Sequence, residues 1–234
     1  MKPLGPKVDA TPAPRPSRVT LTGRLVTLVP LDASAHSAAL HASTSGPGNE
    51  DLWTYLSTGP FADLAAFTAV WKERESSDDP LFFTILDRAS GEPVGCAAYM
   101  RIDPANRVIE VGHILFAPAL QRRPGATEAM YLMARHAFET LGYRRYEWKC
   151  NALHEGSRRA ALRLGFQFEG LFRQHMIVKG HSRDTAWYSM IDSDWPACKA
   201  AFEQWLAPDN FDGAGRQKRP LASFRPDTYP RASF

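Results

Sequence analysis

Gln121-Arg122-Arg123-Pro124-Gly125-Ala126-Thr127-Glu128-Ala129 sets two guanidinium groups and a glycine between an apolar run, 108–116, and an amphipathic run carrying Met130, Met133, Ala134, Ala137, Phe138 and Leu141. A basic loop opening a helix after a strand is suited to phosphate. The first N–H groups of a helix have no intrahelical partner, and the helix dipole is positive there. A phosphate-bearing cofactor is therefore the first functional expectation. Two further residues in the neighbourhood can carry protons. Glu110 is a carboxylate inside an otherwise apolar strand pattern, where burial raises a carboxyl pKa toward that of a useful base. His113 is its rival, and simple alternation puts the two on opposite faces unless a bulge at Gly112 shifts the register, so that only one reaches a cleft. Ser157 shares a helical stripe with Ala160, Ala161 and Leu164, which turns its hydroxyl inward.

The elements that must hold these groups follow from periodicity. Strands are expected at 24–30, 81–87, 94–102, 107–116, 146–150, 168–178 and 184–191, and helices at 33–42, 63–75, after 124, and at 155–164. Gly142 and Gly165 stop the last two helices. The order β-α-α-β-β-β-α-β-α-β-β, with no internal repeat, describes one mixed α/β domain at about 19–206. Residues 1–18 hold five prolines and little apolar material, which predicts a disordered tail. Residues 207–234 read as a Pro-rich, basic tail without chemistry, able to drape over the domain through Phe224, Tyr229 and Phe234.

At 234 residues, with 44% hydrophobic and 11% aromatic content, the chain can fill a core and still line a pocket. A net charge of +3 with dispersed arginine pairs does not point to nucleic acid. Three cysteines without a C-x-x-C spacing suggest neither a zinc site nor a disulfide framework, and no metal is expected. No run approaches the ~20 apolar residues of a membrane span, and the N-terminus lacks a secretory core. A cytoplasmic location without membrane partners is the expectation.

Three segments together resemble the GNAT (Gcn5-related) N-acetyltransferase superfamily, in its ribosomal-protein-alanine-acetyltransferase-like branch. They are Gly23-Arg24-Leu25-x2-Leu28-x-Pro30-Leu31, Ala126-Thr127-Glu128-Ala129 opening a helix, and Ser157-x7-Gly165-Phe166-x2-Glu169-Gly170. The resemblance covers about residues 23–195. It implies a mostly antiparallel central sheet with flanking helices, and acetyl-CoA as co-substrate. The family's pyrophosphate loop, Q/R-x-x-G-x-G/A, falls on Gln121 through Ala126, with Arg122, Arg123, Gly125 and Thr127 as further contacts. Pro124 stands where a glycine is usual and removes one backbone donor; Gly125 and the two arginines can offset it.

The resemblance further implies that a main-chain N–H near Ile114, Leu115 or Phe116 polarises the acetyl carbonyl. The branch's N-x-x-S motif has His154 at its Asn position and an Asn three residues earlier, Asn151. Either can bond the cofactor's pantetheine arm, while His154 can equally cap the helix. Acetyl transfer needs a neutral amine, a polarised carbonyl, room for an adduct and a proton for the departing thiolate. Glu110 is the expected base and Ser157 the proton donor, with Tyr188 in reserve. The acceptor wall is expected from Trp53, Tyr55 and Phe61 with Glu50 and Asp51, and from Trp148, Arg173 and Trp187; Trp53 and Phe61 can alternatively close the core. The acceptor is a primary amine, small or amino-acid-like rather than a protein N-terminus, attacking directly in a ternary complex. A catalytically silent acyl-CoA sensor is the other class, and a homodimer is left open.

Overall fold

The computed structural model describes residues 2–230. Eight strands form one sheet in the order β1-β2-β3-β4-β5-β6-β8-β7. They are β1 (Leu21–Thr22), β2 (Val26–Pro30), β3 (Leu81–Asp87), β4 (Pro93–Asp103), β5 (Val108–Phe116), β6 (Arg145–Asn151), β7 (Gln167–Val178) and β8 (His181–Ile191). Every neighbouring pair is antiparallel except β5 and β6. Five helices cover the sheet: α1 (Ala33–Thr44), α2 (Leu64–Ser76), α3 (Pro124–Arg135), α4 (Glu155–Leu164) and α5 (Trp195–Leu206). This is the mixed α/β, mostly antiparallel GNAT-type architecture that the resemblance implied.

Alternation along the strands splits the apolar side chains into two cores. Phe82, Cys96 and Ala98 face α1 and α2, meeting Leu40, Phe67 and Trp71. Phe83, Ala97, Ile109 and Val111 face the other way, into the larger core under α3, α4 and α5. Trp53, read above as a candidate acceptor wall, belongs to the first core: it is fully buried, its indole N–H donates to the Thr44 carbonyl at 2.7 Å, and Phe61, Phe67 and Trp71 surround it. Its core reading holds, because a large indole with a satisfied N–H closes the gap between α1 and α2.

Helix α5 has no counterpart among the expected elements. Trp195, Cys198, Phe202, Trp205 and Leu206 form its buried stripe. The terminal segments also depart from expectation. The 1–18 stretch, expected to be disordered, is tied down: Ala13 is buried and its N–H donates to the Pro104 carbonyl, while Arg107 pairs with Asp9 at 2.6 Å. Prolines forgo few internal hydrogen bonds when extended, so two or three anchors from the domain suffice. At the other end Leu221 is buried and the Tyr229 hydroxyl donates to the Gly165 carbonyl. Phe234 lies outside the described residues. Among the described residues no helix is long and apolar enough to cross a membrane.

Helix α3 is fixed by one side chain. The buried Glu128 carboxylate accepts from the backbone N–H groups of Arg24, Leu25 and Val26, at 2.9, 2.6 and 2.9 Å. A Cβ at Gly23 would run into that carboxylate, which explains the glycine that opens the Gly23-Arg24-Leu25 motif. Removing the acceptor strands three donors in a partly buried turn. Glu128→Ala is therefore expected to lower unfolding free energy by about 2–4 kcal/mol in urea titrations. A loss under half a kilocalorie would mean that water replaces the carboxylate.

Candidate active site

The parallel pairing of β5 with β6 spans only Val108–Glu110 against Arg145–Glu147. Beyond it the two strands part, leaving the facing edges of residues 111–116 and 148–151 without a strand partner. An open edge of this kind is a template for an extended, amide-bearing chain. A cavity of about 1160 Å³ occupies the gap and continues past the first turn of α3 at one end and the β7–β8 hairpin at the other.

At the helix end, Gln121, Arg122, Arg123, Ala126 and Thr127 line the cavity as expected. Arg122 has φ +58°, and Arg123 is the N-cap of α3 with no side-chain capping bond. Among the described residues neither arginine makes an ion pair, so both guanidinium groups are available to an anion. Pro124 occupies the first turn of α3, where the missing N–H costs no helical hydrogen bond. The proline thus suits the start of the helix, while offering no N–H of its own to an anion. Gly125 departs from its expected place: it does not line the cavity, and a Cβ there would come 3.0 Å from Val26 Cγ1. Its role is the close seating of α3 on β2.

Two contributors at this end were not anticipated. Arg163 of α4 donates to Thr127 Oγ1 at 3.0 Å and lies 4.8 Å from the Trp205 ring. The segment after α5, read as having no chemistry, supplies Phe211, Arg216 and Gln217 to the wall. Trp205 Nε1–H donates to Gln217 Oε1 at 2.8 Å, and Trp205 packs edge-on against Phe211. The apolar periodicity of 195–206 was the available signal.

In the middle, Ile114, Leu115 and Phe116 line the open β5 edge. Gly112 allows close approach, since a Cβ there would meet Met100 Sδ, but the bulge lies one residue further on. Ala98 opposes Gly112 while Cys96 opposes Leu115, so β5 carries one extra residue, and His113 takes φ +49°. The shift reverses the alternation: Ile109 and Val111 pack toward α3, Leu115 toward α2. Glu110 and His113 consequently both line the cavity, contrary to the expectation that only one would. Burial acts on them oppositely. Desolvation raises the Glu110 pKa despite the opposing Lys149, whereas burial and nearby Arg74 and Arg101 push His113 down to about 4. Of the two, Glu110 is the one whose proton affinity is improved.

Across the gap, Asn151, His154 and Ser157 line the β6–α4 side. Asn151 Oδ1 accepts from the Leu153 N–H at 2.9 Å, closing the turn before α4. His154 is the residue before α4 but makes no capping bond; its ring stacks on Tyr55 at 4.4 Å. Ser157 Oγ accepts from Trp148 Nε1–H at 3.0 Å. An indole can only donate, so Ser157 keeps its hydroxyl proton for an acceptor, and the Cys150 sulfur is one within its reach. Tyr188, the reserve acid, is fully buried and is not among the residues that line the cavity.

At the hairpin end, Tyr55 and Asp51 line the cavity with Met100, Arg101, Met176, Val178 and Arg183. Trp187 does not. Its ring carries the Lys149 ammonium 3.8 Å from its centroid and packs on Phe172, so from behind it steadies a cation that lines the cavity. Arg173 is exposed and outside the cavity, and Glu50 turns back to accept from the Gly48 N–H. Lys149 was not singled out from sequence. It sits 3.0 Å from Glu110 Oε2 and 2.6 Å from Glu147 Oε2 with its side chain 4% exposed. The alternating 145–149 strand held part of that signal, with Arg145, Glu147 and Lys149 on one face. Arg101 and Arg122 join His113 as non-glycine residues with positive φ at the cavity, a clustering of strain typical of functional sites.

Comparison with known proteins agrees with this geometry. A crystal structure of a GCN5-related N-acetyltransferase from Brucella melitensis shares 52% identity and a TM-score of 0.90, over 92% of this chain and 97% of that one. An uncharacterized N-acetyltransferase of Bacillus subtilis is 27% identical over 128 residues, 55% of this chain and 70% of the relative. A ribosomal-protein-serine acetyltransferase of Escherichia coli is 28% identical over 100 residues, 43% of this chain and 55% of that protein. Residues 26–167 match the acetyltransferase (GNAT) domain, from the strand that seats α3 to the first residue of β7, and the chain belongs to this family of acetyltransferases.

Proposed function

We propose that this enzyme moves the acetyl group of acetyl-CoA to the primary amine of a small or amino-acid-like acceptor, by direct attack in a ternary complex. The observation that carries the reading is one continuous cavity running from the cationic first turn of α3, along the open β5 and β6 edges, to the buried Glu110 carboxylate. The fit to acetyl-CoA is chemical at each stage. Arg122, Arg123 and Arg163, with the N–H groups of the α3 turn, suit its phosphates. The unpaired edges at 111–116 and 148–151 suit its amide-bearing arm. When bound, acetyl-CoA supplies an acetyl group activated as a thioester.

The chain's own residues account for the proton traffic. Glu110 accepts a proton from the incoming ammonium, directly or through water, because desolvation has raised its proton affinity. Ser157, already accepting from Trp148, has its hydroxyl proton to give to the departing sulfur. A main-chain N–H from Ile114 to Phe116, beside the bulge, is the donor available to the carbonyl. The acceptor end is bridged over by the Tyr55–His154 stack, the Tyr55 hydroxyl donating to the Leu153 carbonyl, and Lys179 Nζ donating to the Trp53 carbonyl. These cross-links favour a small acceptor over a polypeptide threaded through an open groove. The ribosomal-protein relative makes a peptide amine the comparison to include.

Release of CoA across a panel of amines, amino acids and short peptides tests the reading; no release with any of them would sink it. Glu110→Gln is expected to lower kcat/KM by roughly 10²–10⁴-fold, the usual range for a general base, and Ser157→Ala by roughly 10²-fold. The pH dependence has a definite sign. Glu110 works ionised, and its folded pKa lies above the ordinary value, so kcat/KM should fall with acidity through an inflection above 4.5. Lys149 holds that pKa down while burial holds it up, with Arg101 helping Lys149 and Glu147 opposing it. Lys149→Met should therefore move the inflection to higher pH. An inflection that stays in place, or moves lower, would mean that Glu110 is not the titrating base.

A further inference from the structure

The acceptor end of the cavity holds a positive charge that the chain does not balance. The charged side chains across β4, β5, β6 and β7 form an alternating row: Glu169 with Arg145 at 2.5 Å, Arg145 with Glu147 at 2.7 Å, Glu147 with Lys149 at 2.6 Å, Lys149 with Glu110 at 3.0 Å, and Glu110 with Arg101 at 3.7 Å. That row contains three carboxylates and three cations and is neutral as a unit. Arg183 of β8 stands outside it. Its side chain is half-buried and lines the cavity within electrostatic reach of Glu110 and Arg101. Its Nε–H donates to Thr185 Oγ1 at 3.2 Å, and among the described residues its two terminal nitrogens have neither a hydrogen bond nor an ion pair.

The nearest acids are otherwise engaged or turned away. Asp184 Oδ1, on the same strand, accepts from the Gln174 N–H at 2.6 Å, at the bulge where Gln174 takes φ +50°. Asp51 on the opposite wall is exposed and makes no ion pair among the described residues. His175 adds a polar group without adding charge at neutral pH. Its Nδ1 lies 3.0 Å from the same Thr185 hydroxyl, and its pKa is held below the ordinary value by burial and by Arg101, Arg183 and Lys149. The rest of the local wall is apolar, from Met100, Met176 and Val178.

A half-buried guanidinium with both terminal nitrogens free is built for a planar anion. The phosphates of acetyl-CoA are matched by the separate arginines at the α3 end, so this one is left for the other substrate. We propose that the acceptor is a primary amine that also carries a carboxylate, and that Arg183 binds the carboxylate while the amine meets Glu110 and an apolar body lies against Met100 and Met176. The proposal rests on the acetyl-transfer reading above and narrows its acceptor to amino-acid-like molecules with a free carboxylate. A protein N-terminus presents an amide carbonyl there, which cannot neutralise Arg183.

The test compares acids with their neutral amides at the same site: L-methionine against L-methioninamide, L-phenylalanine against L-phenylalaninamide, and a short peptide beginning with methionine. A charge-assisted contact predicts kcat/KM about tenfold to a hundredfold higher for the acids. Arg183→Gln should collapse that preference by raising the acceptor KM, without raising that for acetyl-CoA, and Arg183→Lys should recover part of it. Calorimetry with N-acetyl-L-methionine and its amide in the presence of CoA reads the same contact without turnover. Amides or the peptide used as well as the acids, or a preference that survives Arg183→Gln, would overturn the proposal while leaving acetyl transfer intact. No transfer to any amine, together with no thermal shift on adding acetyl-CoA, would overturn the parent reading and this one with it.

Discussion

Three residues of parallel pairing between β5 and β6 set the geometry on which the rest of the site depends. A parallel pair has to be reached by a crossover connection, and here α3 is that crossover. The helix therefore starts beside the C-terminal end of β5, directing its positive N-terminal turn into the space the diverging strands leave open. A sheet that stayed paired to its ends would have no gap, and a gap without α3 would have no charge to fill it. Glu128 secures the arrangement by locking α3 onto the β1–β2 turn through three backbone N–H groups. Cationic helix turn and open edge are thus two consequences of one topological choice.

The same divergence explains why so many charges tolerate burial. Glu110 and Glu147 are register partners at the last parallel rung, and Lys149, two residues on, reaches back to both. Buried carboxylates side by side would repel and be driven to protonate. The interposed ammonium opposes that at Glu110, while desolvation still lifts its proton affinity relative to water. The indole of Trp187 under the ammonium adds a cation–π contact without adding a third anion. What results is a carboxylate that holds a proton more readily than a solvated one. Such a balance suits a base and gains little for stability, since buried ion pairs seldom exceed an apolar replacement.

Much of the frame was legible because its signals are local. The bounds of β3 and α4 follow directly from apolar runs ended by breakers, and Gly165 takes the left-handed conformation (φ +104°) that its stop position implies. Glu110 and Ser157 stood out as polar residues on apolar patterns, and both line the cavity. The misreadings share a different cause. The start of α3 was set too late: Pro124 stands in the first helical turn, where its missing N–H breaks no helical hydrogen bond. Trp53 and Trp187 were read as pocket aromatics, but what an indole faces is decided by partners far away in sequence, Trp71 for one and Lys149 for the other. Helix α5 had a readable stripe that its initial Trp-Pro and the basic, Gly- and Pro-rich segment after it obscured.

The residues that sequence reading passed over are the ones that sheet order creates. Arg101, Lys149 and Arg183 come from β4, β6 and β8, and no spacing along the chain relates them. They meet because β8 inserts between β6 and β7, which carries the β7–β8 hairpin past the end of β6 and over the gap. The extra residues in β7 between Phe172 and Met176 then bend the hairpin, so that Met176 and Arg183, register partners, both reach the cavity. Glu110, at the last parallel rung, is held by a strand on each side. Met176 and Arg183 ride instead on a hairpin whose outer strand, β7, pairs with β8 alone. The carboxylate of the cavity is therefore fixed by the middle of the sheet, while the cation Arg183 is placed by its edge.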